Sequence, residues 1–192
     1  MENSIHILCI SDIHYSKSAP ENQGLVLREF FNDLPKQLIG IDRDNLYCII
    51  AGDLVQAGNV DKSYDDFYEA FIKKLTLYIP LDHILCVAGN HDMNRNILKD
   101  KEWADKHNAL FKKDLSEEEY NCYLAKNEES VIYKKFDCFN RFCLNKMQIE
   151  NYDLLGYSVN LVPEISVFCL NSALLSNGGA EGFLIVMIVM AI

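Results

Sequence analysis

Residues 84–92 read ILCVAGNHD, and this stretch decides the fold. Its apolar first part runs directly into Gly89-Asn90-His91-Asp92. A short apolar run bounded by glycine and polar residues is typical of a buried β-strand that ends in a loop. The stretch therefore predicts a strand over 84–88 that brings an amide, an imidazole and a carboxylate to one edge of a sheet.

The same arrangement occurs twice more towards the amino terminus. Residues 5–10 (IHILCI) run into Ser11-Asp12-Ile13-His14, and residues 46–51 (LYCIIA) run into Gly52-Asp53. Because each apolar run is short and ends in polar residues, both are predicted to be buried strands. The three polar clusters thus follow three predicted strands.

Helical periodicity fills the two segments between these strands. Apolar residues recur at helical spacing over 24–39 and over 64–79, and Pro35 is expected to kink or break the first helix near its end. Strands alternating with helices favour an α/β fold with a parallel or mixed sheet and crossover helices. Ligands of such sheets bind beyond the carboxyl ends of the strands, so the three clusters can converge on one rim.

The remainder of the chain is predicted to be helical and then extended. Residues 94–150 are rich in charged and aromatic residues and predict helices near 97–113, 117–126 and 131–144, the second with an N-cap at Ser116. This segment is interpreted as a helical insertion or cap within one domain over 1–180. Strand character resumes at 157–162 and 165–170.

Residues 181–192 form an apolar tail of uncertain origin, and 183–192 read FLIVMIVMAI. A run of ten residues is too short to cross a bilayer, which takes about twenty. Two interpretations stay open: a core strand that ends with the chain, or a fragment or altered reading frame. No association with a membrane is expected.

Composition limits the possible partners and the compartment. The net charge of -10 argues against a dedicated nucleic-acid binder, although bound divalent ions reverse the local field and a nucleic-acid substrate stays open. The seven cysteines form no C-x-x-C pair and no signal peptide precedes the first strand, so we expect core thiols in a reducing, cytoplasmic setting.

The residue types in the three clusters suit metal and proton chemistry. In an extended segment, Asp12 and His14 point to the same side and can both reach one cation. Asp53 follows a glycine that allows a close turn, Asn90 offers a neutral oxygen, and His91 can donate a proton. Asp12/His14 or Asp53 alone would be ordinary loop residues; the order of all three clusters points to a site. The remaining histidines, His6, His83 and His107, are predicted to be surface or packing residues.

The order D-x-H, G-D, G-N-H-D resembles the calcineurin-like metallophosphoesterase family. The likeness is clearest over residues 5–92, continues more weakly to about residue 175, and is specific for the superfamily rather than for a substrate. It implies a sandwich of mixed β-sheets flanked by helices and hydrolysis of a phosphate ester with two divalent metal ions, Mn, Fe or Zn.

The resemblance also implies a role for each residue of the motifs. Asp12 and His14 would hold the first ion, Asp53 would bridge both, and Asn90 would bind the second. His91 would contact the scissile phosphate and protonate the leaving group. Asp92 would orient His91.

The family pattern continues with a further histidine and a G-H-x-H element, whereas this sequence has no histidine after His107. The second ion would keep Asp53 and Asn90, and the first would lose an imidazole. Sites made of oxygen ligands alone bind transition metals less tightly than imidazole-rich sites. We therefore expect a carboxy-terminally truncated domain with impaired activity.

Two alternatives to a phosphomonoesterase or phosphodiesterase remain from the sequence. The first is a nuclease of the same superfamily, which would cleave single-stranded DNA with manganese; the acidic charge and the lack of a basic, aromatic-interleaved stretch oppose it. The second is a non-catalytic regulatory or scaffold remnant that binds a partner through residues 94–150 without any metal requirement.

Overall fold

The structure is a computed structural model that describes residues 4–18, 21–110, 116–126, 130–174, 176 and 187–191. Its strands are β1 (His6–Ile10), β2 (Leu46–Ala51), β3 (Ile84–Val87), β4 (Gly156–Val162), β5 (Ile165–Leu170) and β6 (Met187–Ala191). Its α-helices are α1 (Glu21–Gln37), α2 (Asp61–Phe67), α3 (Lys73–Leu75), α4 (Lys101–Ala109), α5 (Glu117–Ala125), α6 (Val131–Lys135) and α7 (Asp137–Asn145).

Three parallel strands form the first sheet in the order β1-β2-β3. The apolar runs at 46–51 and 84–88 become strands that are buried along almost their whole length, as their lack of alternation predicts. The prediction of a buried strand over 5–10 is wrong, because β1 lies at the edge of the sheet and Ile7 and Cys9 are exposed. The predicted parallel arrangement is confirmed. Because all three strands run in the same direction, the polar cluster after each one lies at the same edge of this sheet.

The second sheet is antiparallel, in the order β4-β5-β6. Met187–Ala191 of the predicted apolar tail pair with β5, while 181–186 and 192 lie outside the described residues. The two sheets face each other across a small core. Its buried members are Tyr47, Ile49, Leu85 and Val87 from the first sheet and Tyr157, Leu161, Val167 and Cys169 from the second.

Two tyrosine hydroxyls connect the sheets through hydrogen bonds to backbone. The hydroxyl of Tyr157 donates to the carbonyl of Cys86 (2.8 Å) and accepts from the amide of the same residue (3.0 Å). The hydroxyl of Tyr47 donates to the carbonyl of Leu161 (2.6 Å). Buried hydroxyls need such partners, so these contacts fix how the sheets stack.

Helices cover the other face of the first sheet. Helix α1 continues through Pro35 to Gln37, so the proline marks the last turn of the helix and does not end it. The predicted helix over 64–79 begins at Asp61 and contains one wide π turn at Tyr68–Ile72 before α3. Phe67 at the end of α2 stacks on Phe71 in the π turn, with ring centroids 5.4 Å apart.

Residues 94–150 are helical, as predicted, but in shorter pieces. The third predicted helix is divided at Phe136 into α6 and α7, and the N-cap at Ser116 is confirmed as a capping box with Glu119. Helix α7 packs on α2 through the aromatic rings of Tyr64 and Phe142, 5.2 Å apart. The segment therefore shares the main core with α2. Within the described ranges, no helix is long and apolar enough to cross a membrane.

Candidate metal centre

Three loops meet at the carboxyl edge of the parallel sheet. The loop after β1 is joined to the loop after β2 by backbone hydrogen bonds from the amide of His14 to the carbonyl of Asp53 (2.8 Å) and from the amide of Tyr15 to the carbonyl of Leu54 (2.9 Å). The loop after β3 joins the same group because the amide of His91 donates to Oδ1 of Asp53 (2.8 Å). The predicted convergence of the three sequence clusters is therefore present in the structure.

The backbone at this edge is left-handed at three non-glycine residues. Asp12, His14 and Asp53 have φ angles of 54°, 47° and 52°. L-residues avoid this conformation, although aspartate and histidine adopt it more readily than most. The extended conformation that the sequence argument assumed for Asp12 and His14 is therefore wrong, because both residues are left-handed.

His14, Asp53 and His91 form the centre of the cluster. Each offers one ligand atom, and these atoms all lie within 4.8 Å of one another. Nε2 of His14 lies 3.7 Å from Oδ2 of Asp53 and 3.8 Å from Oδ1 of Asp12. The rings of His14 and His91 meet edge to face with centroids 4.4 Å apart. The imidazole of His14 and the carboxylates of Asp12 and Asp53 are at distances suitable for binding a divalent transition metal, and the imidazole of His91 lies beside them.

Asn90 contacts the same cluster through its side-chain amide. One end of this amide lies 3.2 Å from Oδ2 of Asp53, and the other lies 3.2 Å from Nη2 of Arg95. With the amide oxygen towards Asp53, two acceptors face each other, which a cation between them would stabilise. With the amide reversed, both ends make hydrogen bonds to protein groups. The hydrogen bonds favour the reversed orientation, in which the amide nitrogen donates to Asp53, so the fit to a cation rests on the imidazole and carboxylate groups of His14, Asp53 and His91.

Gly89 is required at its position because of close packing against Asp53. A Cβ atom placed on Gly89 would lie 2.2 Å from Oδ1 and 2.4 Å from the amide nitrogen of Asp53. Gly58 is similarly constrained, since its Cβ would lie 2.0 Å from the carbonyl oxygen of Asp92. The glycine in the G-N-H-D motif thus permits the loop after β3 to approach the loop after β2.

Asp92 is fully buried beneath the loops. Its carboxylate accepts hydrogen bonds from the backbone amides of Gly89 (2.9 Å), Leu54 (3.1 Å) and Val55 (3.3 Å), and from the hydroxyl of Tyr64 (3.2 Å). Burial raises the pKa of Asp92 to about 7, against the lowering effect of the backbone amides. Because the carboxylate accepts hydrogen bonds from Leu54 and Val55 after β2 and from Gly89 after β3, it connects these two loops.

The His91 ring is held by a backbone carbonyl. Its Nδ1 lies 3.1 Å from the carbonyl oxygen of Gln56. A carbonyl can only accept, so Nδ1 carries a proton and Nε2 is left for chemistry. The contacts described for Asp92 go to backbone amides and to Tyr64, not to the ring of His91.

Sequence reasoning missed three residues around the centre. Oε1 of Gln23 in α1 accepts a hydrogen bond from the amide of Ser16 (3.0 Å), and its Nε2 donates to the carbonyls of Ile13 (3.1 Å) and His14 (2.8 Å). These bonds fix the loop after β1. Gln56 holds His91 through its backbone, and Arg95 approaches Asn90. A glutamine on an amphipathic helix and a backbone carbonyl give no distinctive sequence signal.

The comparisons with known proteins agree with this geometry. The calcineurin-like phosphoesterase family matches residues 5–173, a range that includes all three clusters. The chain belongs to this family of metallophosphoesterases, and its domain is of the phosphoester-hydrolase type. No curated protein and no solved structure matches the chain significantly.

Proposed function

We propose that this chain hydrolyses a phosphomonoester or phosphodiester with two divalent metal ions, Mn, Fe or Zn, at the candidate metal centre. The observation that carries this proposal is the meeting of His14, Asp53 and His91 within 4.8 Å at the carboxyl edge of the parallel sheet. The membership of the chain in the calcineurin-like phosphoesterase family supports the reaction type.

Four residues would hold the ions. Asp12 and His14 would bind the first, Asp53 would lie between the two, and Asn90 would bind the second with its amide oxygen turned towards Asp53. Divalent ions there polarise a phosphate oxygen and lower the pKa of the attacking water. Because the sequence has no histidine after His107, we expect this ligand set to need metal concentrations well above those that imidazole-rich sites need.

His91 would handle the proton of the leaving group. Its Nδ1 proton is donated to the carbonyl of Gln56, so Nε2 is the atom left for the leaving group. Nε2 would donate to a phosphate oxygen or to the departing alkoxide from the doubly protonated ring, which would become neutral in that step. Asp92 would position His91 by holding the two loops that carry His91 and Gln56. A role for Asp92 through the backbone requires no direct contact with the imidazole.

The net charge of -10 favours a small phosphate ester over a polyanion as substrate. A polyanion would meet repulsion over the whole surface, whereas a small ester enters only the local field of the ions. We also propose a reducing, cytoplasmic setting, which the seven free thiols support. Five of the thiols are buried, whereas Cys9 and Cys122 are exposed, so the expectation of core thiols is wrong for these two.

The experiment is a comparison of the unaltered chain with Asp53→Asn, using Asp105→Asn on the exposed side of α4 as the matched control. We expect Mn²⁺-dependent hydrolysis of p-nitrophenyl phosphate or bis-p-nitrophenyl phosphate by the unaltered chain and by the control. Asp53→Asn should lose Mn²⁺ affinity in calorimetry by at least about tenfold, because it removes a charged ligand, and should lose the hydrolysis.

Each other outcome argues for a different function. Mn²⁺ binding without hydrolysis of either ester would overturn the enzymatic proposal and favour the non-catalytic alternative. Cleavage of single-stranded DNA in the same assay, absent from Asp53→Asn, would favour the nuclease alternative. Equal hydrolysis by Asp53→Asn and by the control would place the activity outside this centre.

A further inference from the structure

A pocket lined by both apolar and charged residues lies beside the candidate metal centre. It has a volume of about 420 Å³ and lies between the loop after β1, the loop after β2 and the start of α2. Pockets of this size are large enough for a small-molecule group. We call it the lysine pocket, and it is defined here by six of its lining residues, Tyr15, Ser16, Lys17, Gln56, Lys62 and Asp66.

The walls of the lysine pocket continue the loops that carry the metal ligands. Tyr15 follows His14 in the chain, and its carbonyl accepts a hydrogen bond from the amide of Gln56 (2.9 Å). The carbonyl of Gln56 in turn holds Nδ1 of His91 (3.1 Å). The residue proposed to protonate the leaving alcohol is thus hydrogen-bonded to a residue that lines the pocket.

The charges in the lysine pocket favour an anion. Nζ of Lys17 and Nζ of Lys62 lie 3.5 Å and 3.6 Å from the same oxygen, Oδ1 of Asp66. Among the described residues that line the pocket, Asp66 supplies the one carboxylate. Two ammonium groups against one carboxylate leave a local excess of positive charge in a chain whose net charge is -10.

The other carboxylates at the start of α2 are neutralised on a different side. Asp61 pairs with Arg141 of α7 (3.0 Å), and Asp65 pairs with Lys146 (2.9 Å) just after α7. These residues line a separate cleft between α2 and α7. Their ion pairs reduce the acidic field of α2 at the lysine pocket, and the positive excess there persists.

Hydroxyl groups add further hydrogen-bond donors to the pocket. Ser16, Ser18 and Ser63 line it, and the Oγ atoms of Ser16 and Ser18 lie 3.2 Å apart. The backbone of Ser16 is fixed by Gln23 (3.0 Å). Phosphate oxygens accept from ammonium and hydroxyl groups together, so this set of donors suits a phosphate group better than a neutral one.

We infer that the lysine pocket binds a second phosphate group, carried by the alcohol part of the substrate, so that the substrate class is an alcohol that bears two phosphates. This inference rests on the proposed function, because it presumes that an ester is cleaved at the neighbouring metal centre. Lys17 and Lys62 are then specificity-determining residues, and Asp66 moderates their affinity for the anion.

The test compares butanediol monophosphate with butanediol bisphosphate as substrates, by release of inorganic phosphate with Mn²⁺. The readout is the ratio of kcat/KM for the bisphosphate to that for the monophosphate. We expect the double substitution Lys17→Gln with Lys62→Gln to lower this ratio by about tenfold, as for the loss of two exposed charge contacts. Asp66→Asn should raise the ratio, because it removes the competing carboxylate.

The matched control is the double substitution Lys36→Gln with Lys73→Gln. Both lysines are exposed and pair with helix carboxylates, Asp33 (3.6 Å) and Glu69 (2.8 Å), and none of these four residues lines the pocket. The control should keep the ratio of the unaltered chain. A ratio that is unchanged in the pocket variant, or lowered equally in the control, would overturn the inference.

A separate titration distinguishes failure of the pocket from failure of the proposed function. Inorganic pyrophosphate is titrated into the metal-free chain by calorimetry. We expect binding that is weakened in the pocket variant and kept in the control, even where no ester is hydrolysed. Equal pyrophosphate binding by both variants, or none by the unaltered chain, would overturn the pocket while leaving the metal centre to be judged by its own assay.

Discussion

Gly89→Ala provides a sharp test of how the metal centre is built, because the added methyl group has no space. The new Cβ would lie 2.2 Å from Oδ1 of Asp53 and 2.4 Å from its amide nitrogen. Asp53 is only 8% exposed, and its backbone is fixed by a hydrogen bond to His14 (2.8 Å), so it cannot move aside easily. Overpacking of this kind costs about 1–3 kcal/mol, and contact with backbone points to the upper end.

The same substitution at Gly24 provides the matched control. Gly24 lies in α1, is exposed, and has nothing within 4 Å of a built Cβ. Alanine is favoured over glycine in a helix by up to about 1 kcal/mol. One chemical change is therefore expected to destabilise the chain at Gly89 and to stabilise it at Gly24, with a difference of about 3–4 kcal/mol between the two variants.

Urea denaturation followed by circular dichroism measures both free energies of unfolding. We expect Gly89→Ala also to lower Mn²⁺ affinity in calorimetry, since it displaces the carboxylate of Asp53, whereas Gly24→Ala leaves the affinity unchanged. Equal shifts of the two unfolding midpoints, or a Gly89→Ala variant within about 0.5 kcal/mol of the unaltered chain, would refute the close approach of the two loops.

Two further predictions concern buried polar groups behind the centre. Lys135→Met should destabilise the chain by about 2 kcal/mol at neutral pH, because it removes the Nζ donor to the carbonyls of Leu174 (2.7 Å) and Ser176 (2.8 Å). Burial lowers the pKa of Lys135 to about 7, below its unfolded value of about 10.4. The free-energy cost of burying the charge is therefore fully present below pH 7, decreases as pH rises above 7, and is absent above the unfolded pKa. The stability of the unaltered chain relative to Lys135→Met should therefore increase between pH 7 and about pH 9, as urea titrations at both pH values would show; a constant or falling difference would contradict this sign. Tyr64→Phe should cost about 1–2 kcal/mol, because the Tyr64 hydroxyl donates to the carboxylate (3.2 Å) and to the carbonyl (3.0 Å) of buried Asp92; a variant as stable as the unaltered chain by thermal denaturation would show that these bonds contribute nothing net.

The apolar runs before each polar cluster allowed the first sheet to be predicted closely. Uniform burial removes the alternation of an exposed strand, and the run at 46–51 coincides with β2. The convergence of Asp53 and His91 also followed from parallel topology alone. Short-range signals of this kind survive in the sequence because each depends on neighbouring residues.

The parts that sequence reasoning missed depend on contacts between distant residues. Lys135 reads as a surface residue of a charged helix, yet it is fully buried and its Nζ lies 3.1 Å from Nε2 of His107. The division of the third predicted helix at Phe136 likewise follows from packing, since that side chain is completely buried. Periodicity describes which face of a helix is apolar, but it does not specify which polar side chain tertiary packing encloses.

Among the described residues, three of the four non-glycine residues with left-handed φ angles would bind metal, and the fourth is Gln148. Asp12, His14 and Asp53 all adopt left-handed φ angles, a conformation that costs L-residues roughly 1–2 kcal/mol each. Glycine would fit these positions with less strain, but it has no ligand atom to offer. Hydrogen bonds from the loops to buried Asp92 and the packing of Gly89 against Asp53 stabilise the loops in these strained conformations. Carboxylates and an imidazole at strained positions, held by a buried network, are more readily explained by a ligand than by stability, because stability alone would favour glycine there.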